Sequence, residues 1–392
     1  MSSVPRGRTK SIPTVAILQR YMPHYRVAFF NLLKTRLSEH GVELKVYYGL
    51  PTGRTRLRGD AKPLDWATQV RVRSLSLGSR DLYWEDCVVR ASEADLVILE
   101  ASLGILSNLP VLLLRKLLQK TVALWGHGPN AKSTSTGGAL RRLRSSLARQ
   151  ADWWFVYTDR GIELLRAQGF PSSRVTSVQN AIDTTHLVRV AEQTSLDQVQ
   201  AVKVSLGLSG SHTALFVGAM RPGKRVDYAL ETCEVVRSRV PDFEAIFVGA
   251  GETQGLVEVA AARHDWIHYC GHVSDDTKIP LFQLAKVMLM PGYIGLGILD
   301  SFALEVPMVT LAGTQHSVEF AYMVPGQNGV VVEDSGGINA YADAICRVLL
   351  DEEFREHLRA GCRLAREKYT VENMAQRYAE GILQAMALRS RR

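Results

Sequence analysis

The sequence predicts an α/β protein of two domains, each built on a parallel sheet. At 392 residues the chain is too long for one ordinary hydrophobic core and suits two domains of roughly 100–200 residues each. Short apolar runs alternate with helical patterns, as they do in βαβ units. Between Leu187 and Ser211 the chain turns polar and ends in the breaker run Gly207-Leu208-Ser209-Gly210, which reads as a boundary. The expected division is a first domain 1–190, a linker 191–211, a second domain 212–370 and a closing helical segment 371–392.

In the first domain Val15–Leu18 reads as a strand, Arg26–His40 as its helix and Val42–Tyr48 as the next strand, before an Arg-rich loop over Thr52–Arg73. Then come the strand Asp95–Glu100, the helix Leu109–Gln119, the strand Thr121–Trp125, a Gly/Ser/Thr-rich loop Gly126–Gly138, the helix Ala139–Gln150 and the strands Trp153–Tyr157 and Val175–Val178. The second domain opens with the strand Ala214–Val217 and the helix Val226–Arg239. The strands Ala245–Val248, Ile267–Tyr269, Val287–Met290 and Met308–Leu311 follow, with the helix Lys278–Ala285 among them, and helical patterns over Ile338–Leu350 and Val371–Leu388 close the chain.

Composition narrows the class. Hydrophobic residues make up 46% and charged residues 22%, ordinary for a folded chain, and no stretch approaches the roughly 20 apolar residues that span a bilayer. The apolar run Val15–Leu18 is broken by Gln19 and Arg20 and is too short for a secretory signal. Five scattered cysteines without a CxxC pair fit reduced thiols in a cytoplasm. A formal net charge of +8 favours an anionic partner.

Three junctions carry the chemistry. Pro291–Pro307 follows a buried strand, is rich in glycine and flows into a short helix, so the backbone N–H groups of Gly295, Leu296 and Gly297 can cradle an anion such as a diphosphate. Gly218–Val226 is a second strand–loop–helix junction with three cations, of which Arg221 and Lys224 are the candidate phosphate ligands. Gly249 and Gly251, after a third strand, offer a further close backbone approach. In the first domain His127, between Gly126 and Gly128, ends a strand where open α/β sheets place functional groups, and it suits a sugar hydroxyl or developing charge.

With these segments the chain resembles, over nearly all its length, the retaining glycosyltransferases of family 4, which have the GT-B architecture of two Rossmann-like domains facing a central cleft. Lys224, Gly249 and Gly251, and Asp300-Ser301-Phe302-Ala303-Leu304-Glu305-Val306-Pro307 sit where that family carries its phosphate lysine, its glycine pair and the second half of its Glu-x7-Glu motif. The motif is degenerate. Gly292 replaces the first glutamate and Asp300 the second, the junction arginine is Ala219 with Arg221 two residues on, and Glu305 replaces a glycine. The resemblance implies that Asp300 binds the donor ribose, with a reach shorter by about 1.5 Å than glutamate. It further implies that His127 contacts the donor sugar and that transfer retains the anomeric configuration. Gln315–Tyr322 resembles the His-x-x-Glu segment of a subset of the family, which makes Glu319 a candidate substitute for the missing carboxylate, with helix capping as the alternative. Asn180-Ala181-Ile182-Asp183 resembles the family's Asn-Gly-(Val/Ile)-Asp segment, and Pro23–Arg26 stands where the family often has a glycine pair near donor and acceptor, which makes it a candidate to meet the acceptor, with a helix start as the alternative.

The implied reaction moves a hexose-type sugar from a UDP- or GDP-linked donor to a glycan or lipid-linked glycan, in cell-envelope polysaccharide synthesis. The chain has no Asp-x-Asp triplet, so cations and helix ends would neutralise the leaving diphosphate, and neither a metal nor another cofactor is expected. Ala139–Gln150, with Arg141, Arg142, Arg144 and Arg149 set among leucines, reads as a basic amphipathic helix for an anionic membrane surface or as a solvated face of its own domain. No nucleic-acid-binding signature is present. The alternative function is a catalytically degenerate sugar-nucleotide-binding relative.

Overall fold

The computed structural model describes residues 12–388, apart from 54–55, 57–58, 78–79, 103, 116, 118, 129–145 and 147–148. The basic stretch Ala139–Gln150 thus lies largely outside the described residues. The chain forms two compact units, one running up to Gln179 and resuming at Glu372, the other Asn180–Val371.

Among the described residues the first unit's sheet has seven parallel strands: β1 (Thr14–Gln19), β2 (Glu43–Tyr48), β3 (Thr68–Gln69), β6 (Leu96–Glu100), β7 (Thr121–Gly126), β8 (Trp153–Val156) and β9 (Val175–Ser177). Their order is β3-β2-β1-β6-β7-β8-β9. A separate antiparallel hairpin, β4 (Val72–Leu77) and β5 (Arg80–Glu85), starts at the end of the expected loop Thr52–Arg73 and continues over residues for which no element was expected. The second unit holds six parallel strands, β10 (His212–Val217), β11 (Phe243–Val248), β12 (Ile267–Tyr269), β13 (Val287–Met290), β14 (Met308–Leu311) and β15 (Gly329–Val332), ordered β12-β11-β10-β13-β14-β15. Parallel strands are covered on both faces, which is why they read as unbroken apolar runs. Val15 to Leu18 and Val287 to Met290 are each at most 1% exposed.

The boundary lies at Gln179/Asn180, earlier than expected, and the stretch 191–211 is no linker. Helices Thr184–Gln193 and Leu196–Ser205 occupy it, the second opened by a reciprocal capping box in which the Ser195 hydroxyl and the Gln198 side chain each accept the other's backbone N–H, at 3.2 and 2.8 Å. The closing helix Val371–Ala387 packs into the first unit. Tyr378 stacks on Phe155 at 4.2 Å and meets Trp125 edge-on at 5.1 Å, while the Arg26 guanidinium stands 4.7 Å from the Trp125 ring. In the second unit the buried Tyr341 hydroxyl accepts from Met290 N at 3.0 Å and donates to Val309 O at 2.7 Å, which pins helix Gly337–Leu350 to the ends of β13 and β14. The five cysteines are all free thiols.

Candidate functional site

In the second unit the chain leaves β10 toward β11 and β12, and leaves β13 toward β14 and β15. β10 and β13 are neighbours, so the sheet's topological switch point falls between them, the place at whose carboxyl ends open α/β sheets form their ligand crevice. The loops 218–225 and 291–296 line it.

These two loops clasp backbone to backbone. Tyr293 N donates to Gly223 O at 2.7 Å. A Cβ on Gly292 would stand 2.5 Å from both Gly223 O and Lys224 Cα, so no side chain fits at 292 while the turn 222–224 keeps its place. The loop is buttressed from behind. His316 Nδ1 accepts from Ile294 N at 3.2 Å, which leaves its Nε2–H to donate to Leu311 O at 2.8 Å, and Thr314 Oγ1 donates to Pro291 O at 3.0 Å. Gly249, at φ +135°, is needed for a similar reason, because a Cβ there would overlap the Gly218 carbonyl, and Gly251 abuts the Met220 carbonyl. Their primary role is thus the close passage of two loops.

The three cations of the first loop divide. Arg225 is committed to Asp334 at 2.8 Å. Arg221 is exposed and Lys224 half-buried, and among the described residues neither pairs with a carboxylate. The Lys224 ammonium stands 3.6 Å from Met290 Sδ and 5.7 Å from the Tyr293 ring centroid. Burial, with the charge of Arg221 behind it, pulls its pKa down to about 8. An uncompensated ammonium in a crevice is a seat for an anion. On the other loop the N–H groups of Gly295, Leu296 and Gly297 meet no backbone acceptor among the described residues at the start of helix Gly297–Ala303.

Asp300 lies on that helix and is buried. Its Oδ1 accepts from the buried Lys278 ammonium at 2.9 Å, and Asp275 takes a second bond from the same lysine at 2.9 Å. Burial lifts the Asp300 carboxyl above its ordinary range, against the pull of Lys278. Asp300 Oδ2 accepts from none of the described residues. Sequence reasoning missed Lys278; its trace is one cation heading a short, mostly apolar helix, Ile279–Leu284.

Glu319 is neither open to solvent nor a helix cap. It is 2% exposed, and its oxygens accept from Asn180 Nδ2 at 2.5 Å and from the Ser317 hydroxyl. The Tyr322 hydroxyl donates to Asn180 O at 3.1 Å. This turn therefore anchors the segment Asn180–Asp183, whose Asp183 caps helix Thr184–Gln193 through His186 N at 2.9 Å.

His127 belongs to the other unit, at the carboxyl end of β7, exposed, with its ring edge-on to Tyr157 at 4.7 Å. In the same unit the switch point lies between β1 and β6, where Arg20 and Glu100 form an ion pair. Behind them Glu85 is buried, bonded by Ser107 Oγ at 3.2 Å, and burial with the charge of Glu100 pushes its pKa up to about 7.

With this geometry in hand, the chain was compared with known proteins. Residues 211–351 match the family Glycosyl transferases group 1. The match holds β10 to β15 and every crevice residue named above. The D-rhamnosyltransferase WbpZ of Pseudomonas aeruginosa PAO1 is 28% identical over 134 residues, which are 32% of this chain and 33% of that relative, so the alignment spans about a third of its length. The Anabaena protein HepE, solved with UDP-glucose, superposes with a TM-score of 0.66 at 14% identity, covering 94% of this chain and 99% of that one. Sucrose-phosphate synthase from Thermosynechococcus elongatus gives 0.66 at 14% identity, covering 96% and 100%. The fold is that of the GT-B glycosyltransferases, α/β with parallel sheets.

Proposed function

We propose that this chain is a glycosyltransferase that moves a hexose-type sugar from a UDP- or GDP-linked donor to a glycan or lipid-linked glycan acceptor. One observation carries the reading: at the switch point of the family-matched unit, two clasped loops carry the unpaired, desolvated ammonium of Lys224 and a helix start whose N–H groups meet no backbone acceptor among the described residues. Charge-assisted bonds to phosphate are worth roughly 1.5–3 kcal/mol each, so Lys224 and Arg221 can hold a diphosphate and stabilise it as it leaves. Asp300, fixed through Oδ1 by Lys278, turns its remaining oxygen to the ribose hydroxyls. His127 contacts the transferred sugar. Transfer retains the anomeric configuration and needs no metal. The protein works on the cytoplasmic side, peripheral to the membrane, in cell-envelope polysaccharide synthesis. WbpZ, a rhamnosyltransferase by name, and HepE, which was solved with UDP-glucose, support a nucleotide-sugar donor.

The second reading is a binding relative without transfer activity, favoured by the steric exclusion of any carboxylate from position 292. The two part in one experiment. The protein is incubated with UDP- and GDP-sugars and an extract of membrane glycolipids without divalent metal, and free UDP or GDP is measured with the product's anomeric configuration by NMR. Acceptor-dependent release with a retained anomer supports transfer. Nucleotide binding without release under any pairing leaves the binding relative.

A further inference from the structure

The β4–β5 hairpin has two faces, and among the described residues only one packs into a core. Its register pairs Leu75 with Leu82, Arg73 with Trp84 and Leu77 with Arg80. Side chains alternate across a strand, so Val72 and Tyr83 face inward, where they pack with Ile105. Leu75, Leu77, Leu82 and Trp84 share the outer face. Tyr83 also bonds the passing segment on its other edge, donating to Gly104 O at 2.7 Å and accepting from Leu106 N at 2.9 Å, which sets Leu106 beside Trp84 on the same outer face. Leu75 is 59%, Leu77 56%, Trp84 42% and Leu106 37% exposed. The rest of the face is cationic at its base. Arg71 and Arg73 continue the alternation below Leu75, and Asp86, bonded to Arg73 at 3.0 Å, is the one acid beside them.

We propose that this outer face is a docking surface for an anionic phospholipid bilayer, with Leu75 and Leu77 at the acyl boundary, Trp84 at headgroup level and the arginines against lipid phosphates. Tryptophan with leucine above a cationic rim is the composition that sits at a membrane interface, and its positive balance complements anionic headgroups. The area argues against a second copy of the chain. The exposed apolar surface is on the order of 400 Å², the size of a functional patch, whereas a stable dimer needs about 800 Å² from each partner. The inference rests on the membrane-peripheral part of the proposed function, to which it gives a surface, and involves no residue of the nucleotide crevice.

The test is cosedimentation of the full chain with vesicles of phosphatidylcholine alone and of phosphatidylcholine mixed with phosphatidylglycerol, in the absence of nucleotide. The protein is expected to bind the mixed vesicles, more weakly as salt rises, and the Leu75→Ser/Leu77→Ser variant to bind them about tenfold less tightly or worse. A second readout does not depend on that variant's folding. Brominated lipid in the mixed vesicles should quench part of the tryptophan fluorescence of the unaltered protein, and Trp84→Phe should lose that part. Absence of binding to either vesicle would overturn the proposal. So would binding unchanged in the serine variant, or a dimer in light scattering that the serine variant makes monomeric without altering vesicle binding. Failure of the transferase reading would appear instead as unaltered vesicle binding with no response to any nucleotide.

Discussion

Replacing Gly292 by alanine is the sharpest perturbation of the crevice. The new Cβ would stand 2.5 Å from Gly223 O and Lys224 Cα, where ordinary contacts begin near 3.4 Å, so the turn 222–224 must retreat by about 1 Å. Overpacking of this kind costs roughly 1–3 kcal/mol. The same retreat breaks the 2.7 Å bond from Tyr293 N to Gly223 O, adding about 0.5–1.5 kcal/mol. The expected loss is about 2–4 kcal/mol, or a fall in melting temperature of roughly 5–15 °C for the unit that carries it. Differential scanning calorimetry and urea unfolding of the full chain read it. Gly295→Ala is the control, since its Cβ meets only Tyr293 Cε1 at 3.5 Å, and it should cost less than about 1 kcal/mol. Because Lys224 rides on the displaced turn, Gly292→Ala should also weaken UDP or GDP binding, and Gly292→Glu should weaken it further instead of restoring a family enzyme. If Gly292→Ala were as stable as the unaltered protein, the clasp would not exist, and the missing carboxylate would need another explanation.

Three further outcomes are expected. Lys224 has a pKa of about 8 when free and a higher one beside phosphate, so nucleotide binding takes up a proton; titration calorimetry across pH 7 to 9 should show affinity falling as pH rises through about 8, and Lys224→Met should abolish the dependence. Glu85 binds its proton more tightly when folded, with a pKa of about 7 against an ordinary 4.5. Stability should therefore decline as pH rises through that interval, and Glu85→Gln should remove up to about 3 kcal/mol of the decline in urea unfolding. Lys278→Met leaves the Asp300 carboxylate buried without its cation and should cost about 3–5 kcal/mol, most of it recovered in the Lys278→Met/Asp300→Leu double variant, which would still fail to bind nucleotide.

The parallel strands were legible because a strand covered on both faces must be apolar throughout, and Val15–Leu18 and Val287–Met290 say so without help. The hairpin β4–β5 was hidden because its inward positions include Ser74 and Ser76 and its outward ones Arg73, so neither face alternates cleanly. The early boundary was missed for a local reason: the polar stretch after Leu187 was read as a break, although Ser195 and Gln198 spell a helix start. The crevice residues Arg221, Lys224 and Asp300 were visible as junction chemistry. Their partners were not, since no spacing rule joins Lys278 to Asp300 or Asn180 to Glu319. Gly292 shows the difference most plainly. In the sequence it is an absent carboxylate, and in the structure its missing side chain lets the loops 218–225 and 291–296 touch.

The central claim is that the crevice between β10 and β13 holds a nucleotide diphosphate on Lys224. Thermal unfolding of the protein and of Lys224→Ala with UDP, GDP, ADP and dTDP, with and without divalent metal, tests it directly. At a hundredfold excess over Kd a bound nucleotide adds about 2.7 kcal/mol. The account predicts a rise in melting temperature with UDP or GDP, undiminished without metal and lost in Lys224→Ala. A rise of equal size in Lys224→Ala, or none with any nucleotide, would contradict it.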